Sequence, residues 1–142
     1  MPEFQEIVGE LDESQVADAE SALGVTLPQA YRRFLLSTGG GSLARNYVIP
    51  EFDGSAIFSE FHDVGELVRA QGVGSNEVVP HEYIVVGDGG GGGLCVKVAG
   101  DDVGSVWWVD YDGAEIIGAE EPTQDVMIRQ ADDFDAFLSM IG

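Results

Sequence analysis

The chain has 142 residues, with 26 Asp and Glu against 6 Lys and Arg, so its formal net charge is −20, and 44% of its residues are hydrophobic. This length predicts a single domain over residues 1–142, with a core from about residue 11, and the apolar content excludes a disordered chain. The charge excludes nucleic acids and anionic membranes as partners, because both repel an acidic surface.

Two helices are predicted in the first 40 residues. Asp12 begins the first as its N-cap, Gln15 completes a capping box, and Gly24 ends it. Pro28 suits the first position of the second helix, and the glycines at 39–41 stop it. A shorter helix is expected further along, after an N-cap at residue 63, and residues 72–82 are expected to form a loop.

Strands dominate the rest of the chain. Short strands are expected over 46–50 and 55–58, and apolar or alternating runs predict further strands over 83–86, 94–98 and 105–111. Asp112-Gly113 is typical of a tight hairpin turn, here leading into a strand over 114–117. A closing helix follows an N-cap at residue 132 or 133, with apolar residues on one face.

This order of elements indicates an α+β fold. Consecutive strands joined by short turns predict an antiparallel sheet of about four to six strands. The N-terminal helical pair and the C-terminal helix are expected to pack on that sheet.

The residue patterns give no support for catalysis. The run Gly87–Gly92 matches G-x-G-x-x-G, but a strand follows it instead of a helix, so it indicates a flexible hairpin connection. Cys95 lies within a predicted strand, where a cysteine is usually a small buried hydrophobe. His62 and His81 are the only imidazoles. We therefore expect a protein that is not an enzyme, with no catalytic residues, no metal and no cofactor.

The expected location is the cytoplasm. The first ten residues lack the basic and apolar regions of a signal peptide, and no apolar run approaches the ~20 residues of a membrane span. The lone cysteine cannot form an internal disulfide.

Residues 19–40, AESALGVTLPQAYRRFLLSTGG, resemble the N-terminal signature of the SUKH superfamily. That signature has a glutamate, then leucine-glycine, leucine-proline, tyrosine-arginine and phenylalanine-leucine pairs, and a glycine pair after the second helix. Residues 83–98 and 134–138 are similar to the family's strand–glycine loop–strand unit and closing helix. The resemblance implies helices packed on an antiparallel sheet and no catalytic residues.

The same resemblance implies two kinds of function. Many bacterial members are immunity proteins that bind and neutralise a toxin, often a nuclease, and fungal relatives are regulatory scaffolds in cell-wall synthesis. The net charge favours the first kind with a basic protein partner, since a nuclease holds phosphates with Lys and Arg. Solubility and adaptation to high salt remain alternative reasons for the charge. The oligomeric state stays open.

Acidic residues in loops and turns are the candidate contacts for such a partner, because loops are exposed and carry function. Half of the net charge lies in residues 100–135, which hold eleven acids and one base. Of two adjacent strand tryptophans, at most one can face the core, so the other is a candidate interface anchor. The predicted partner-binding residues are Glu51, Asp53, Asp88, Asp110 and Asp112, with Trp108 as the anchor.

Overall fold

The computed structural model describes all residues from 1 to 142 as seven β-strands and five α-helices. The strands are β1 (Phe4–Ile7), β2 (Gly41–Glu51), β3 (Gly54–Phe61), β4 (Tyr83–Gly90), β5 (Gly92–Lys97), β6 (Val106–Asp110) and β7 (Met127–Ala131). The helices are α1 (Glu13–Leu23), α2 (Gln29–Thr38), α3 (Val64–Ala70), α4 (Tyr111–Ile117) and α5 (Phe134–Ile141), with 3₁₀ helices at Gly74–Val78 and Gln124–Val126.

The strands form one sheet in chain order, β1 to β7, and every neighbouring pair is antiparallel. The α+β class and the antiparallel meander are thus confirmed, with seven strands where about four to six were expected. The sequence pattern missed β1 and β7. Each has only four or five residues at a sheet edge, and neither shows a clean apolar alternation.

The sheet carries a separate core on each face. Helices α1, α2, α3 and α5 cover one face, where Tyr31, Phe34, Phe58, Trp108 and Phe134 are among the buried side chains. The opposite face is covered only beside β4 to β7, by α4 and the two 3₁₀ helices. This smaller core consists of Val78, Val79, Tyr83, Val85, Cys95, Val109, Ala114, Val126 and Met127.

The predicted helix ends are confirmed where a local capping contact defines them. The Asp12 side chain accepts a 2.9 Å hydrogen bond from the Gln15 backbone N–H, and the Gln15 side chain accepts one from the Asp12 N–H. Asp63 and Glu66 form the same reciprocal box at α3, and Asp133 caps α5. None of the five helices has the length and apolar character that a membrane crossing requires.

The predicted hairpin at Asp112-Gly113 is wrong, and α4 occupies its place. Asp110 accepts a 2.7 Å hydrogen bond from the Gly113 N–H and so caps a helix. Ala114 on this helix packs into the smaller core, whereas a strand at this point would leave that face of β6 uncovered. The burial of this helical face overrides the turn preference of the Asp-Gly pair.

The glycine run is also different from the expected flexible connection. Gly89 pairs with Gly92, so β4 and β5 continue through the glycines into a tight two-residue turn. A Cβ atom on Gly87 would lie 2.7 Å from Phe58 Cε1, and one on Gly92 would lie 2.3 Å from Trp108 Nε1. Glycine is therefore needed here because aromatic rings pack directly against the strand backbone.

Candidate functional site

Most of the predicted contact residues lie at one end of the sheet. In an antiparallel meander, alternate connections fall at the same end, so the β2–β3 turn, the β4–β5 turn and the β6–α4 junction are neighbours. We call this region, residues 51–54, 88–92 and 110–113, the turn end. The Tyr111 N–H donates to the Gly91 carbonyl at 3.0 Å, which ties two of its parts together. The turn end contains Glu51, Asp53, Asp88, Asp110 and Asp112.

The prediction of Trp108 as an exposed anchor is wrong, because its side chain is fully buried. The indole packs edge-on against Phe58 within the larger core, with the ring centroids 6.2 Å apart. Its Nε1 donates to Glu51 Oε2 at 2.9 Å. Trp107 faces the other side of the sheet and is half-buried between Tyr83 and Arg129. Neither tryptophan is therefore free to anchor a partner.

Three carboxylates converge at the centre of the turn end. Oxygens of Glu51, Asp110 and Asp112 all lie within 4.8 Å of one another. Asp110 is only 1% exposed, whereas Asp112 is open to solvent. Because the trio comes from β2, β6 and α4, only the folded sheet brings these groups together.

Within the trio, Glu51 has a clearly shifted pKa. The pKa of Glu51 is raised to about 7, mainly by burial and also by the neighbouring carboxylates of Asp110 and Asp112, against the lowering effect of the hydrogen bond from Trp108. Glu51 is therefore partly protonated near neutral pH, which relieves the repulsion among the three groups. Carboxylate oxygens so arranged suit a cation in chemical type, either a hard metal ion or a Lys or Arg side chain. The expectation that no metal is bound stays a prediction.

Asp53 and Asp88 present further free carboxylates at the turn end. Both are exposed, and the Asp88 carboxylate accepts only the backbone N–H of Gly89, at 2.8 Å. The ion pairs of the protein involve Arg32, Arg33 and Arg129, and none includes a turn-end carboxylate. The negative charge of this end is thus not neutralised within the chain.

The sequence interpretation missed an apolar patch beside these acids. Phe52, at the tip of the β2–β3 turn, is 64% exposed. Val48 and Ile57 are direct cross-strand partners on the sheet face that the smaller core leaves uncovered, and both are about half exposed or more. A phenylalanine between Glu51 and Asp53 was the available signal, since a large aromatic is unusual in an otherwise polar turn.

The fold and this site define a small α+β domain whose exposed end combines acids with apolar side chains. The chain matches the SMI1 / KNR4 family (SUKH-1) over residues 10–140, and it belongs to this family. No curated protein matches the chain.

The segment that carried the family resemblance has a structural role. Glu20 in α1 accepts the Leu27 N–H at 2.8 Å, and its other oxygen lies 3.4 Å from Arg32 Nε. Tyr31 and Leu35 are buried in the larger core, as their spacing predicted. The signature therefore maintains the α1–α2 arrangement and contributes no residue to the turn end.

Proposed function

We propose that this protein is a non-enzymatic, immunity-type protein that binds and neutralises a cognate basic toxin, such as a nuclease, through the turn end. The proposal rests on the exposed Phe52, which adjoins the unpaired carboxylate of Asp53, and on the exposed carboxylate of Asp88 at the same end of the sheet. Family membership is consistent with this class of function. An aromatic anchor with surrounding charges of one sign is a common arrangement in specific interfaces.

The charges and the apolar patch have separate roles in this proposal. The carboxylates speed the encounter with a basic surface and set its orientation, and their effect weakens as salt screens them. Phe52, Val48 and Ile57 supply apolar area that keeps the complex together once it has formed. Asp110 and Trp108 act indirectly, because they are buried and hold Glu51 and Asp112 in place.

The test uses the basic C-terminal domain of a secreted protein encoded beside this gene. Its binding is measured by calorimetry at about 50 mM and 500 mM NaCl, and its toxicity is measured in cells with and without this protein. We expect saturable binding that weakens with salt, together with loss of toxicity. No saturable binding at the lower salt concentration would contradict the proposal.

Variants then locate the interface. Phe52→Ala and the pair Asp53→Asn/Asp88→Asn are each expected to weaken binding about tenfold. The pair Asp18→Asn/Asp101→Asn removes the same charge from exposed positions away from the turn end and should change binding less than about twofold. Equal losses for the two pairs would mean that net charge, and not this surface, controls association.

The second proposal is a regulatory scaffold or peptide-binding module of the cell-wall-regulator type. Family membership is equally consistent with it. Such a module would bind through apolar contacts, so its association would not change with ionic strength. The salt series described above therefore separates the two proposals.

A further inference from the structure

An open groove of about 680 Å³ lies on the side of the molecule where the C-terminal end of α1, the end of α3 and the segment Glu120–Pro122 approach one another. Seven of its sixteen lining residues are hydrophobic, and among these the buried or half-buried Leu23, Val68 and Val79 form its floor. Cavities of this size commonly hold small ligands or peptide side chains. None of the residues that line this groove belongs to the turn end.

The walls of the groove are fixed by hydrogen bonds. The Gln71 side chain donates to the carbonyls of Leu67 and Val85 and accepts the Val85 N–H, each at 2.8 Å. Asn76 Nδ2 donates to the Ala70 carbonyl at 2.8 Å, which holds the 3₁₀ helix 74–78 against α3. A preformed groove spends less free energy on ordering when it binds, so this one is suited to recognition.

The rim of the groove is acidic. Glu77, Glu120 and Glu121 line it, all three are exposed, and its lining includes no Lys or Arg and one imidazole, His81. None of the three glutamates forms an ion pair within the chain. An apolar floor below an uncompensated acidic rim matches a segment that alternates apolar and cationic side chains.

A second groove, of about 750 Å³, continues the first toward the turn end. The two grooves share Glu77 and Glu120, and the second also includes Glu115 and Asp112, again without Lys or Arg. Asp112 belongs to the carboxylate trio, so the acidic lining runs from the first groove to the proposed partner surface. A partner bound at the turn end has access to both grooves.

We propose that the groove between α1, α3 and Glu120–Pro122 binds an extended basic segment of the protein partner, with cationic side chains on the glutamate rim and apolar ones on the floor. This inference rests on the proposed function for the identity of the partner. It adds a second contact region, which lengthens the lifetime of the complex, since linked contacts dissociate together.

The groove is tested first with a defined probe, an acetylated and amidated hexapeptide of alternating arginine and leucine, added to the ¹⁵N-labelled protein. We expect saturable amide shifts at Gln71, Asn76 and Glu120 and weaker shifts at the turn end. A hexapeptide of alternating arginine and serine should bind about fivefold more weakly, because it lacks the apolar contacts. Shifts spread evenly over all acidic residues, or no saturation, would overturn the proposal.

Charge variants complete the test. Glu77→Gln/Glu120→Gln is expected to weaken peptide binding about fivefold, and the control Glu6→Gln/Glu10→Gln, at exposed positions on the N-terminal segment, less than about twofold. With the basic toxin domain, the groove pair should raise the dissociation rate. If toxin binding is lost with Asp53→Asn/Asp88→Asn but unchanged with the groove pair, the proposed function stands and the groove inference fails. If the peptide binds at the groove and the toxin domain does not bind, the groove stands and the toxin assignment fails.

Discussion

The indole of Trp108 donates to Glu51 Oε2 at 2.9 Å, which links β6 to the start of the β2–β3 turn across 57 positions of sequence. The bond satisfies the one polar atom of a fully buried ring and holds a partly buried carboxyl next to Asp110 and Asp112. One residue pair thus connects the larger core to the charged end of the sheet, so the stability of the fold depends on the ionisation of Glu51.

Replacement of this carboxyl, Glu51→Gln, should change how stability varies with pH. The pKa of Glu51 is about 7 in the folded protein and about 4.5 when exposed, so the folded state holds the proton more tightly. Its stabilising contribution is present below pH ~4.5 and is lost as the pH rises through ~7. The glutamine still accepts the bond from Trp108. The variant should therefore gain about 1 kcal/mol over the wild type between pH ~5 and ~8, a value reduced for partial solvent exposure.

Urea unfolding of both proteins at those two pH values measures this difference. Asp53→Asn removes an exposed carboxylate from the same turn and serves as the control, for which the stability difference should be the same at both pH values. A Glu51→Gln difference that does not change with pH would show that the carboxyl ionises normally in the fold.

The contact between the glycine run and Trp108 gives a second prediction, for Gly92→Ala. A Cβ atom here would lie 2.3 Å from Trp108 Nε1 and 2.4 Å from the Val109 carbonyl, so the ring or the strand must shift. Overpacking of this kind typically costs about 1–3 kcal/mol. Gly90→Ala is the matched control in the same hairpin, since no heavy atom lies within 4 Å of its added Cβ, and it should change stability by less than about 0.5 kcal/mol. Thermal unfolding of the two variants measures both values, and similar losses would contradict the packing argument.

The α1–α2 connection gives a third prediction, for Glu20→Ala. This change removes the acceptor of the part-buried Leu27 N–H and the partner of Arg32, so we expect a loss of about 1–2 kcal/mol in the free energy of unfolding. Glu13→Ala, which removes an exposed carboxylate 2.7 Å from the same arginine, should cost less than about 0.5 kcal/mol. Denaturant unfolding compares the two, and equal costs would mean that Glu20 acts only as a surface ion-pair partner.

The elements predicted from the sequence are those that local chemistry defines. Each of the capping boxes at Asp12 and Asp63 joins two residues that are only three positions apart in the chain. The residue types and their spacing were therefore sufficient to predict where these helices begin. The hairpin predicted at Asp112-Gly113 failed because a helix cap and a tight turn use the same residue types, and burial of Ala114 against a distant strand decides between them. No local pattern contains that contact.

The candidate site was predicted in part for the same reason. The meander brings the chosen acids to one end of the sheet, because alternate connections between its strands lie at the same end. The choice of Trp108 failed because alternation shows that two neighbouring side chains face opposite ways, but not which face the helices cover. The register that places Gly92 of β5 against the Trp108 ring, and therefore leaves space for that ring, depends on pairing between strands.

The buried thiol of Cys95 gives the last prediction. The side chain is fully buried in the smaller core, and this burial raises the pKa of the thiol above its usual range. Since the thiolate is the reactive form, the native protein should react with DTNB at least about a hundredfold more slowly than the protein in guanidinium chloride, where one thiol per chain should titrate. Cys95→Ala provides the blank.

Because α4 and the 3₁₀ helices alone cover this face, the native rate reports the opening of that layer, and a toxin or peptide bound in the adjoining grooves should slow it further. Rapid native labelling would show that the layer over β5 is open in solution, contrary to the packing described for the smaller core.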